Sequence, residues 1–109
     1  MTFIVQRPPI RAIQFEEAGE ALDRLIAAAQ SDTGGARRVA SFLLSWWDGD
    51  DGQWAMIDIA NVDAEIGEDI LIIIAYLAQT GVCYADAWGR EKEMGELIDK
   101  WNWKGRGGA

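Results

Sequence analysis

Apolar and polar positions along this chain fall into four helical stretches separated by turn-rich breaks. Between Phe15 and Gln30, the residues Ala18, Leu22, Leu25, Ile26 and Ala29 recur at the spacing of one helix face. Glu16, Glu17 and Glu20 lie near the start of that helix, where acids complement its dipole. Ser31-Asp32-Thr33-Gly34-Gly35 is rich in capping and turn residues and ends the pattern. A second helix is predicted over Ala36–Trp47, with Val39, Phe42, Leu43 and Trp46 at i, i+3, i+4 and i+7. Asp48-Gly49-Asp50-Asp51-Gly52 closes it as a turn. Residues 53–62 read as a linker with room for one short helical turn.

Asp63 is placed as the N-cap of a third helix, with Glu65, Glu68 and Asp69 in its first turns. The run Ile70–Ala78 that follows is continuously apolar and rich in isoleucine, a composition that also suits a buried strand. The acidic start and Gly81, standing where a left-handed C-terminal residue belongs, decide for a helix over about 64–80. A segment without a polar face is expected at the centre, surrounded by the other helices. A fourth helix is predicted over about Gly89–Trp101, with Met94, Leu97, Ile98 and Trp101 in register. Gly95 either weakens that helix by about 1 kcal/mol relative to alanine or admits a close neighbour.

The expected fold is therefore all-α: a small antiparallel bundle of about four helices around the 64–80 helix. Pro8-Pro9 stops any helix or ladder, so residues 1–14 read as an extended arm. The helical domain is assigned to 15–103 and a flexible glycine-rich tail to 104–109.

Composition narrows the chemistry. The chain has 109 residues, one cysteine and no histidine. Without histidine, the Ser-His-Asp and Cys-His arrangements cannot be built, and Cys83 alone makes neither a disulfide nor a zinc site. Cys83 lies in an apolar context without a nearby base, which is the setting of an inert thiol. No enzymatic activity, cofactor or metal is expected. The start of the chain lacks a signal-peptide pattern, and no apolar run reaches the roughly 18 residues of a membrane span. A cytoplasmic protein is expected.

Charge is unevenly distributed. Residues 1–41 are neutral in sum and residues 90–109 carry +1. Residues 42–89 hold no lysine or arginine but nine carboxylates: Asp48, Asp50, Asp51, Asp58, Asp63, Glu65, Glu68, Asp69 and Asp86. A nucleic-acid groove is not expected, because phosphate contacts rest on Lys and Arg. The acidic middle either meets a basic protein surface or serves solubility.

Four local features invite a site. The Asp48–Gly52 loop fails the EF-hand pattern at Gly52, Gln53 and Ile59, so it reads as an acidic turn. Glu65, Glu68 and Asp69 could hold a hard cation, but acids at a helix N-terminus need no ion to explain them. Arg37 and Arg38 open the second helix against its dipole, so a bound anion, Asp32 or the acidic middle must offset them. The six tryptophans are the most unusual feature. Trp46 and Trp47 project about 100° apart, so Trp47 is left at the edge of the core stripe, and Trp54 lies in the linker. Such rings either cap a core or anchor an interface. The candidates for contact are Trp47, Trp54, Trp88, Arg37, Arg38, Asp48, Asp50 and Asp51.

The run Gln30–Trp47 (QSDTGGARRVASFLLSWW), with Asn61-Val62-Asp63 and Tyr84-Ala85-Asp86-Ala87-Trp88-Gly89, resembles a bacterial domain family of unknown function. That family occurs chiefly in proteobacteria, often on integrative and conjugative elements or plasmids. The resemblance covers about residues 20–103 and departs from its relatives in the linker Gln53–Ile59. It implies an accessory protein of a mobile element and brings no enzymatic activity. Two functions are expected on these grounds. One is a non-catalytic interaction module whose partner is either another protein or a second copy of the chain. The other is an inhibitor that mimics nucleic acid and acts on a defence or DNA-handling protein.

Overall fold

A computed structural model describes residues 10–47, 54–81 and 83–101. They form four α-helices: α1 (Phe15–Gln30), α2 (Ala36–Trp47), α3 (Ala64–Thr80) and α4 (Glu91–Trp101). Two 3-10 turns, Met56–Asn61 and Ala85–Trp88, precede α3 and α4 respectively. The described residues contain no strand, and the apolar run 70–78 is helical. The linker's single helical turn is the first of the 3-10 segments.

Each helix forms for a local reason. α1 follows the extended Gln14, whose carbonyl accepts the Ala18 N–H at 3.0 Å, and carries Glu16 and Glu17 in its first turn. At its far end the Ser31 Oγ–H and N–H both donate to the Ala28 carbonyl, which ends the helix. α3 starts after Asp63, although that side chain makes no capping bond. It ends at Gly81, whose N–H donates to the Leu77 carbonyl with φ at +91°, a backbone state that side chains with a Cβ rarely adopt. α4 begins two residues later than expected, because Gly89 is in the left-handed conformation and closes the second 3-10 turn.

Hydrogen bonds and ring contacts fix the topology. Ile13 and Arg11 meet Gln79, and Arg24 meets Asp69, so α3 runs antiparallel to α1. Asp23 meets Arg90 while Ala29 meets Trp101, so α4 runs alongside α1 in the same direction. Trp46, near the end of α2, packs beside Trp88, which in turn stacks on Phe15 at the start of α1. The helices thus run up, down, down and up. The chain between α2 and α3 has to climb back along the bundle, and its 3-10 turn brings Asp58 to Arg38 near the start of α2. Successive helices are not all neighbours of opposite sense, as the simplest antiparallel bundle would have them.

The enclosed helix is α1, and here the structure revises the sequence reading. α1 packs on α2, α3 and α4, and it buries Ala18, Ala21, Leu22, Leu25, Ile26 and Ala29. Leu22 and Leu25 are wholly buried, each contributing about 1.5–3 kcal/mol of transfer free energy. α3 was the expected centre, yet it packs mainly on α1 and buries fully only Gly67, Asp69, Ile70 and Ile73. Its outer residues Leu71 and Ile74 face solvent. Mean apolarity misled because an apolar helix need not be covered on every side. α1 has polar residues on one side only, and the alanines Ala18, Ala21 and Ala29 at its contacts let three helices approach closely.

Candidate functional site

The tryptophans act first as closures of the core. At one end of the bundle Trp88 stacks on Phe15 with centroids 4.9 Å apart, and its ring also meets Tyr76 and Trp46. Its indole N–H donates to the Phe15 carbonyl at 3.0 Å, and that of Trp46 donates to the Cys83 carbonyl at 2.8 Å. At the other end the Trp101 indole N–H donates to the Ala29 carbonyl at 2.9 Å, which binds α4 to the last turn of α1. Trp54 sits edge-on to Phe42 at 5.4 Å, and its backbone N–H donates to Ser45 Oγ. Trp47 is half-buried against the same core. Of the expected anchors, Trp47, Trp54 and Trp88 therefore spend most of their rings on packing within the chain. Asp48, Asp50 and Asp51 lie outside the described residues.

Of the arginine pair at the start of α2, Arg38 meets a carboxylate from within the chain. Asp58 Oδ1 lies 3.9 Å from Arg38 Nε across an open hollow of about 340 Å³, lined also by Gly34, Arg37 and Ser41. Asp32, the other expected offset, turns away to Lys100 Nζ at 3.0 Å. The acidic middle of the chain thus supplies the negative charge facing Arg38 through Asp58.

Three arginines are held in bidentate pairs. Arg11 grips Glu17 at 2.8 and 2.6 Å, Arg24 grips Asp69 at 3.0 and 2.8 Å, and Arg90 grips Asp23 at 2.6 and 3.1 Å. Hydrogen bonding from Arg11 and Arg90 holds the Glu17 and Asp23 carboxyls below their ordinary pKa. Asp69 alone among these acids is buried, so the trio Glu65, Glu68 and Asp69 is split. Asp69 turns inward to α1, whereas Glu65 and Glu68 face solvent.

Two further hollows were open to chemistry. One of about 200 Å³ is lined by Trp46, Leu77, Gly81, Cys83 and Tyr84. Burial, followed by the charge of Asp86, pushes the Cys83 thiol up, so the thiolate is scarce at neutral pH. The other, of about 500 Å³, lies between α1 and α4 around Asp23, Arg90, Glu93 and Glu96. Among the described residues no group of three His, Cys, Asp or Glu is placed to hold a metal ion. No described helix is long and apolar enough to cross a membrane.

A face of α3 that the sequence reading had assigned to the interior is uncovered, alongside the separately exposed Ile10, Met56 and Ile57. Leu71 is 53% exposed and Ile74 is 36% exposed, and Ala78 continues the same stripe into the last turn. Their spacing from Gly67, at i+4, i+7 and i+11, keeps all four within about 60° of arc. At Gly67 the stripe is covered, since Ile59 and Val62 from the preceding segment sit about 4 Å from where a Cβ would stand. Below that point nothing in the described chain covers it. The signal was present in the sequence as the apolar run itself. Distinguishing an enclosed helix from a one-sided one requires knowing which neighbours pack on it.

Comparison with curated proteins and with solved structures gave no match. A family model does match, over residues 19–102, a span that begins at the second turn of α1 and runs through α4. The chain belongs to the family of unknown function DUF7673.

Proposed function

We propose that this chain is a non-catalytic protein-interaction module that meets its partner through the outer face of α3. The observation that carries the proposal is the pair Leu71 and Ile74, large aliphatic side chains left in solvent on a helix whose opposite face is core. A stripe of this kind, rather than a scattered apolar residue, is the usual mark of a contact surface. The tryptophans support the bundle that presents it. The cytoplasmic setting, and the role as an accessory protein of a bacterial mobile element, belong to the same proposal and rest on the resemblance of the Gln30–Trp47 run. Nucleic-acid mimicry needs its carboxylates free and phosphate-spaced. Asp69 faces Arg24 and Asp58 faces Arg38, so these two lend that reading no support.

The test is capture from a host that carries the gene, comparing the natural chain with a Leu71→Ser/Ile74→Ser variant of unchanged thermal melt. A partner retained by the first and lost by the second is the expected result. A partner that binds both equally, or none with either, removes the proposal.

A further inference from the structure

Resting on the reading of α3 as the contact face, we infer that its occupant is a basic amphipathic helix of another protein. The shape of the face comes first. Leu71, Ile74 and Ala78 form a ridge about 10 Å long along two turns of α3, closed at its upper end by Ile59 and Val62 over Gly67. A ridge at i, i+3 and i+7 is matched by the same pattern on a second helix, whose side chains fit the grooves beside it. The described residues offer no strand edge to which an extended segment could add.

Charge then selects the partner. Asp63, Glu65 and Glu68 stand exposed at the upper end of this helix. At its lower end the last turn of α3 contains no basic residue, so the negative end of its dipole is not offset there. No lysine or arginine occurs between Arg38 and Arg90 in the sequence. Arg24 is committed to Asp69 and Arg11 to Glu17. An arriving helix therefore meets an apolar ridge with exposed carboxylates near its upper end, Asp63 and Glu68 nearest to it around the helix, and an uncompensated carbonyl end below. Lysines or arginines flanking the apolar stripe of the partner answer both. A second copy of this chain does not, because docking α3 on α3 brings carboxylates against carboxylates or against an uncompensated carbonyl end. Phosphate backbones and anionic lipid surfaces are repelled for the same reason.

The probe is a synthetic peptide of about 18 residues, long enough to fold as a helix on contact, with leucines on one face and flanking lysines. Its control carries glutamates in place of the lysines. Amide-shift mapping on the full chain is expected to show saturable movement centred on Leu71, Ile74 and Ala78 with the lysine peptide and none with the control. Affinity should fall about tenfold between low and physiological salt, and Asp63→Asn/Glu68→Gln should weaken binding about fivefold with only a small fall in the melt from the lost dipole complement. Leu71→Ser/Ile74→Ser should abolish it. Shifts spread over other acidic positions and indifferent to Leu71→Ser/Ile74→Ser would overturn the inference. So would a dimer in light scattering that is lost in that variant, or proton contacts from Phe3 or Ile4 to Leu71 in the free protein, since these name a different occupant. A captured host partner that depends on Leu71, together with a silent lysine peptide, overturns the basic-helix partner and leaves the contact face standing. Loss of both results fells the two together.

Discussion

The α-carbon of Gly19 lies against the indole of Trp88: a Cβ added there would stand 2.7 Å from Cδ1 and 2.9 Å from Nε1 of that ring. The ring cannot easily retreat. It is stacked on Phe15, flanked by Tyr76 and Trp46, and bonded through its N–H to the Phe15 carbonyl. A residue that helix propensity disfavours thus stands in α1 where the turn before α4 occupies the space of a side chain.

Gly19→Ala should destabilise the chain by about 1–3 kcal/mol through overpacking, although alanine is the better helix former by about 1 kcal/mol. Gly95, in α4, is the internal control. A Cβ there meets nothing within 4 Å, so Gly95→Ala should stabilise by about 0.5–1 kcal/mol. Thermal melts of the two variants should move in opposite directions. A gain for both would show that Trp88 yields readily.

Arg24 and Asp69 should respond unequally to truncation. The Asp69 side chain is 12% exposed and that of Arg24 is 56% exposed. Arg24→Ala leaves a largely buried carboxylate without its partner, at a cost of about 1–3 kcal/mol. Asp69→Asn leaves a guanidinium that water reaches, and should cost less. Denaturant melts of both single variants and of the double variant measure the difference, and equal losses would contradict it.

Stability should fall in acid. Glu17 and Asp23 have folded-state pKa values below their ordinary ones because Arg11 and Arg90 hydrogen-bond the charged forms. The stabilisation is present above the unfolded carboxylate pKa, around 4, and is lost as the pH falls through the depressed folded values. Chemical melts between pH 6 and about pH 2 should show this decline, and Asp23→Asn should flatten it. Both acids are partly exposed, so added salt should reduce the slope.

The Cys83 thiol should react slowly with an aromatic disulfide reagent near neutral pH. Desolvation and Asp86 both oppose its thiolate, and it borders the Trp46 and Tyr84 hollow. Asp86→Asn should speed the reaction modestly, and urea should speed it much more. Immediate labelling of the folded chain would contradict the burial.

Much of the fold was legible in the amino-acid pattern because α1, α2 and α4 each have one apolar stripe set against polar residues. Leu22, Leu43 and Leu97 fell on predicted stripes and are wholly buried. Misplacement of α3 has a physical origin: the run Ile70–Ala78 has no polar side with which to point outward, so periodicity could not orient it. The packing of Trp54 and Trp88 was hidden for a different reason. Their partners, Phe42 for one and Phe15 for the other, are brought to them only by the return of the chain between α2 and α3 and by the turn before α4. Arg38 found its partner in Asp58 by the same return path, at a separation that no local spacing rule reaches.

The lateral attachment of α3 has a kinetic consequence. α1, α2 and α4 pack on one another in a closed triangle, whereas α3 leans chiefly on α1 through Ile70, Ile73 and the Arg24–Asp69 pair. Its amides should therefore exchange hydrogen through a partial opening that leaves the other three helices closed. Such a protein would carry its least protected cooperative unit on the surface it offers to others, so that association there would be read as slowed exchange along Ala64–Thr80.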